Sequence, residues 1–130
     1  MAYYHSRTIH NNFENVLAAV TDGLKKEGFG ILSQINITEK LKEKLGIDFY
    51  RYIILGACNP ALAYEALQTE DKIGVMLPCN VILQEKEPGK IEIAAIDPAG
   101  SMAAVGNPAL VPIAGEVGKK LKKVIDTICL

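Results

Sequence analysis

"NVILQEKEPGKIEIAAI", residues 80–96, reads as two runs rich in β-branched and apolar residues with Pro88-Gly89 between them. Such a dipeptide punctuates chain direction, so the segment predicts a hairpin of two antiparallel strands. Antiparallel sheets commonly pack one face on a core and leave the other to solvent, and this sets the expectation for the rest of the chain. Upstream, "FYRYIILGA" (49–57) is almost continuously apolar and predicts a buried strand, while "DKIGVMLP" (71–78) predicts a strand or an extended approach. In "FGILSQINI" (29–37), Phe29, Ile31, Ser33, Ile35 and Ile37 alternate with Gly30, Leu32, Gln34 and Asn36, a period that suits a sheet with one covered face. "YYHSRTI" (3–9), aromatic and β-branched, supplies a first strand.

Helical spacing appears between and after these runs. Phe13, Val16, Leu17, Val20 and Leu24 follow Asn11-Asn12, a capping pair, and stop at Gly28. "ITEKLKEKLG" (37–46) offers Thr38 as a cap, Leu41 and Leu45 four apart, and Gly46 as a stop, enough for one or two turns. Asn59 and Pro60 are a strong N-cap type and a residue whose missing N–H costs least at the first helical position, so a helix begins there. Asn107-Pro108 repeats the device before Leu110, Ile113, Val117, Leu121, Val124 and Ile128, the stripe of a C-terminal helix. Strands joined by short turns, with helices collected elsewhere, give an α+β fold: an antiparallel sheet with helices packed on one face.

With 130 residues, of which 49% are hydrophobic, the chain is expected to be one domain, 1–130. The formal charge of −1 provides no global field to gather a polyanion, which argues against nucleic acid as a partner. "KKLKK" (119–123) is expected to be a solvated face whose cations favour the helix C-terminus. No window approaches the roughly 18 apolar residues of a membrane span. The start resembles no signal peptide, and three cysteines are too few for a disulfide framework, so a cytoplasmic protein with reduced thiols and no membrane partner is expected. No serine stands in a G-x-S-x-G context, no glycine run matches a phosphate loop, and His5 and His10 lack zinc-ligand spacing; no metal is expected.

Two Cys-Asn pairs remain, in "LGACNP" (55–60) and "MLPCNV" (76–81). Cys58 lies at the mouth of the predicted Asn59-Pro60 helix, where unpaired N–H groups and the macrodipole favour an anion and can lower a thiol pKa. Cys79 follows Pro78, and pairing of the two segments would bring it within reach of Cys58. Free cysteine also packs as a small hydrophobe, so both thiols have a purely structural reading. A pocket walled by Gly56, Cys58, Asn59, Pro60, Pro78, Cys79 and Asn80 would offer helix N–H donors to a small anionic ligand, with Gly56 and Ala57 leaving room. The alternative is a thiol-dependent redox protein or enzyme using Cys58 as nucleophile with Cys79 as resolving thiol, although the spacing is not C-x-x-C.

"GFGILSQINI", "LKEKLG", "YRYIILGACNPALAYEAL", "IGVMLPCNVIL" and "AIDPAG", in this order, resemble the domain of unknown function 302 family, most specifically in "GACNP" followed by "LPCN". The resemblance implies a TATA-binding-protein-like topology (strand, helix, four strands, helix) and a homodimer, and it implies no established activity. A sheet of this kind also leaves an exposed edge or face, which self-association would cover. The reading is therefore a homodimeric module that binds a small ligand or partner, more a binder than an enzyme, with its cofactors open.

Overall fold

The computed structural model describes residues 3–130, and its elements grow from local signals. Strand β1 (Tyr4–His10) runs into helix α1 (Phe13–Lys26), where the Asn12 side chain accepts from the Asn15 N–H at 2.8 Å. Phe13, Val16, Val20 and Leu24 form the buried stripe of α1, and Gly28 turns the chain out at φ +86°. Strand β2 (Gly30–Asn36) leads to helix α2 (Ile37–Leu45), which buries nothing and ends on Gly46 at φ +67°. Its N-cap is Asn36, not the expected Thr38. The Thr38 hydroxyl instead donates to the Tyr50 carbonyl at 2.7 Å and accepts from the Tyr52 N–H at 2.9 Å, pinning α2 to the start of β3 (Arg51–Cys58).

Helix α3 (Pro60–Thr69) starts at Asn59-Pro60 as the sequence indicates. The segment expected to be a strand or an extended approach, 71–78, differs: Asp71–Met76 is a 3-10 helix, which buries Ile73 against a cluster with Ala66, Met102, Leu110 and Ala114. Strands β4 (Cys79–Glu87) and β5 (Lys90–Ile96) form the predicted hairpin, with Gly89 at φ +79° in the turn. Helix α4 (Pro98–Met102), capped by Asp97, has no counterpart among the expected elements, because its five residues are too short for a periodic pattern. Asn107 caps a 3-10 turn, Pro108–Leu110, and only then does helix α5 (Val111–Thr127) begin.

All five strands pair antiparallel in the order β1-β5-β4-β3-β2. The sequence of strand, helix, four strands and helix is thus present as β1, α1, β2 to β5 and α5, with α2, α3 and α4 inserted. Alternation divides the sheet. Ile53, Leu55, Val81, Leu83, Ile91 and Ile93 point to the face covered by α1 and α5, where they form one core with Val20, Leu24, Leu121 and Ile125. The other face carries no helix residue in that core, and no helix among the described residues is long and apolar enough to cross a membrane.

The two Asn-Pro devices do more than cap. The Asn59 side chain accepts from the Leu62 N–H at 3.3 Å and donates to the Glu27 carbonyl at 3.4 Å, joining the end of α1 to the start of α3. Asn107 likewise accepts from Ala109 at 3.1 Å and donates to the Thr69 carbonyl at 3.2 Å, joining the end of α3 to the following turn. Each asparagine satisfies an orphan donor of one helix and an orphan carbonyl of another.

Candidate functional site

Pairing of β3 with β4 sets Ala57 opposite Cys79 and Gly56 opposite Asn80, so the two Cys-Asn stretches do meet. Cys58 and Cys79 line one cavity with Phe29, Leu62 and Val117, yet its volume is only about 30 Å³. That is room for about one water. The space expected beside Gly56 is occupied: a Cβ there would come within 2.8 Å of the Pro78 ring and closer still to the Ser33 hydroxyl. Ala57 is fully buried toward the helices, Asn59 is spent on its two hydrogen bonds, and Pro60 faces solvent. Asn80 points away from this cluster, onto the open face of the sheet. The seven expected residues therefore share a neighbourhood without enclosing a volume of ligand size.

Glycine at 56 is a packing requirement. Gly56→Ala forces Pro78 or Ser33 to shift between two paired strands and is expected to cost about 1–3 kcal/mol, the usual range for overpacking, as read from urea unfolding.

Cys79 is buried, and burial first, then the neighbouring Cys58, pushes its thiol up to about 11. It is a neutral thiol near pH 7 and a poor nucleophile there, since the thiolate is the reactive form. All three cysteines are free thiols; Cys58 is half-buried and Cys129 exposed.

A roomier, aromatic-lined hollow lies on the open face. Antiparallel register places Tyr52, Gln84, Glu92 and Thr8 in one row across β3, β4, β5 and β1, and Ile54, Ile82, Ala94 and Ser6 in the next. Above these rows is a concavity of about 420 Å³, floored by Ile82, Ala94 and Ile96 and walled by Tyr3 and Tyr4 on one side and Tyr52 on the other. Tyr3 is held at the wall because its carbonyl accepts from the Asp97 N–H at 2.7 Å, extending the β1–β5 pairing, and its ring meets Tyr4 edge-on at 5.1 Å. Tyr52 belongs to an aromatic ladder with Tyr50 and Phe49, with ring centroids 6.2 and 6.3 Å away. Burial, then the Tyr50 and Tyr3 phenols, raise the Tyr52 pKa, so its hydroxyl remains a hydrogen-bond donor at neutral pH. Gln84 donates to the Tyr50 hydroxyl at 3.3 Å, which orients its amide and leaves its oxygen as an acceptor.

Sequence reasoning missed this site, although the signal was available: in "NVILQEKE" and "KIEI" the residues between the buried ones, Asn80, Ile82, Gln84 and Glu92, are those that face the concavity. His5 Nε2 donates to the Asp126 carboxylate at 2.7 Å and ties β1 to α5. Lys123 of the basic run pairs with Glu27 at 3.3 Å. Among the described residues no group of three or more His, Cys, Asp or Glu is placed to hold a metal ion.

A one-sided antiparallel sheet, helices on one face and an aromatic-walled hollow on the other, defines the class as an α+β sheet domain. The chain belongs to the family described as domain of unknown function DUF302, whose model matches residues 5–128. It is similar to the uncharacterized conserved protein DUF302 from Bacillus stearothermophilus, whose crystal structure superposes with a TM-score of 0.91 at 31% sequence identity, covering 99% of this chain and 100% of that one. No curated protein matches the chain.

Proposed function

We propose that this protein is a homodimeric small-ligand-binding module, not an enzyme, and that the ligand sits on the open face of the sheet rather than beside Cys58. The observation that carries this reading is a hollow of about 420 Å³ lined by Tyr3, Tyr4 and Tyr52 over an apolar floor, against about 30 Å³ at the cysteines; hollows of similar volume beside α1 and α5 carry no such set of tyrosines. Ligand sites run from about 300 to 1,000 Å³, mostly apolar with a few polar groups, and the open face has that composition. Of the residues expected from the sequence, Asn80 alone contributes to it. Three of the chain's five tyrosines line this face and the chain has no tryptophan, so tyrosine emission reports on it, with Tyr64 of α3 as a constant background. Titration with small planar aromatics is expected to give saturable quenching that Tyr52→Leu removes and Cys58→Ser leaves unchanged. The reverse pattern would return the ligand to the cysteine end.

The dimer is supported by an apolar patch away from that face, formed by the exposed Tyr64 and Leu67 of α3 with Val75 and Met76 of the following 3-10 helix. Sedimentation equilibrium is expected to give twice the 14.1 kDa chain mass, falling to the single mass in Val75→Glu. Persistence of the dimer in that variant would remove the patch from the reading.

A thiol-dependent role is the second reading, favoured by the shared cavity of Cys58 and Cys79 and opposed by the protonated state of Cys79. Residue-resolved alkylation of the native protein is expected to leave Cys79 unmodified at pH 7.5 and to modify it with a midpoint near 11, with exposed Cys129 as the internal control. Modification of Cys58, the expected nucleophile, faster than that of exposed Cys129 at neutral pH would reinstate the thiol reading.

A further inference from the structure

The open-face site carries polar side chains among its apolar ones. Glu92 stands on the floor in the row Tyr52, Gln84, Glu92, with Thr8 on its other side, and among the described residues its carboxylate has neither an ion pair nor a side-chain hydrogen bond. Lys86, two residues beyond Gln84 on β4 and lining the same concavity, is likewise without an ion-pair partner among those residues. A half-buried carboxylate disfavours an anionic ligand and is satisfied by a donor pair that meets both of its oxygens. Strand spacing puts the Tyr52 and Glu92 backbones about 10 Å apart, two inter-strand steps of about 4.8 Å. A fused pair of rings can span that gap with one end against the phenol and the other at the carboxylate. Gln84 stands between them in the same row, and Lys86 lines the same concavity.

We infer that the open-face site takes a flat heterocycle bearing a 2-amino-4-oxopyrimidine edge, the N–H and NH₂ pair shared by guanine and the pterins, with Glu92 accepting both hydrogens. The inference rests on the reading of this face as the ligand site and adds the class of ligand. A carboxylate that needs two donors in a row rejects a ring lacking them, because it is then left desolvated and unpaired. Adenine, whose amino group adjoins a bare ring nitrogen, is such a ring.

The test is calorimetric titration of the native protein with guanosine, neopterin and adenosine, all neutral at pH 7, repeated on Glu92→Gln and Tyr52→Leu after circular dichroism has confirmed their fold. Binding of guanosine or neopterin at least about tenfold tighter than adenosine is expected, a margin well inside what such a hydrogen-bonding site can reject. Glu92→Gln should remove that margin, and whichever ligand binds tighter identifies the nucleoside or the pterin as the source. Equal affinity for all three, unaffected by Glu92→Gln but lost in Tyr52→Leu, overturns the inference and leaves the open-face reading standing. Absence of binding by any of the three at millimolar concentration, together with no saturable quenching by other planar aromatics, overturns both.

Discussion

Leu83→Ala is expected to lower the free energy of unfolding by about 2–5 kcal/mol, measured by urea denaturation. Leu83 occupies the middle of β4, the central strand of the order β1-β5-β4-β3-β2, and is 0% exposed. Its register neighbours Ile53 and Ile93 are held by ladders on both sides, so the sheet has little freedom to collapse into the hole that a lost isobutyl group leaves. A small protein has only about 5–15 kcal/mol to lose, so the upper part of this range would leave the chain partly unfolded at ambient temperature. Ile82→Ala, one residue away, is the matched control. Ile82 faces the open side and is half-buried, and truncation there admits water instead of creating a dry void. The ratio of the two losses measures how completely the helices seal one face and not the other.

Arg7→Met is expected to cost about 1.5–3 kcal/mol, the range for hydrogen bonds made by a charged group. Arg7 lies on the helix-facing side of β1, and its Nη1 donates to the carbonyls of Ile125 at 2.9 Å and Ile128 at 2.8 Å. Ile125 lies in the last turn of α5 and Ile128 is the C-cap just beyond it, where carbonyls lack intrahelical partners and the macrodipole favours a cation. Hydrogen exchange distinguishes this from a general loss of stability: amides at the C-terminal end of α5 should lose more protection than those in β4. Uniform loss across both elements would show that Arg7 contributes packing alone.

Most of the fold was legible because the signals that make it are local. Pro88-Gly89 with its flanking runs, the Phe13 to Leu24 stripe and the two Asn-Pro starts each specify conformation within a few residues, and they specify it here. The exceptions have local causes of their own. Thr38 lost the cap to Asn36 because its hydroxyl is engaged by the backbone of Tyr50 and Tyr52, which are near only after β3 has folded back. Residues 71–76 looked strand-like because Ile73, Val75 and Met76 are apolar, but Ile73 alone is buried and the others are exposed on a 3-10 helix.

The candidate site divides differently. Sequence by itself determined that Asn59 would start a helix, that Asn107 would begin the turn leading into the last one, and that the sheet would keep one face uncovered, since alternation and capping chemistry are properties of the chain; that the two Cys-Asn stretches meet depended on β3 pairing with β4. Tertiary structure alone decided how much room surrounds them. Pro78 and Ser33 close over Gly56 because β2 and β4 flank β3, and no spacing along the chain announces that. Tyr3 and Tyr52, 49 positions apart, face each other across β5 and β4 because the first strand enters the sheet beside the last. Volume and convergence arise from the packing of segments distant in sequence, and these moved the candidate site from the cysteines to the tyrosines.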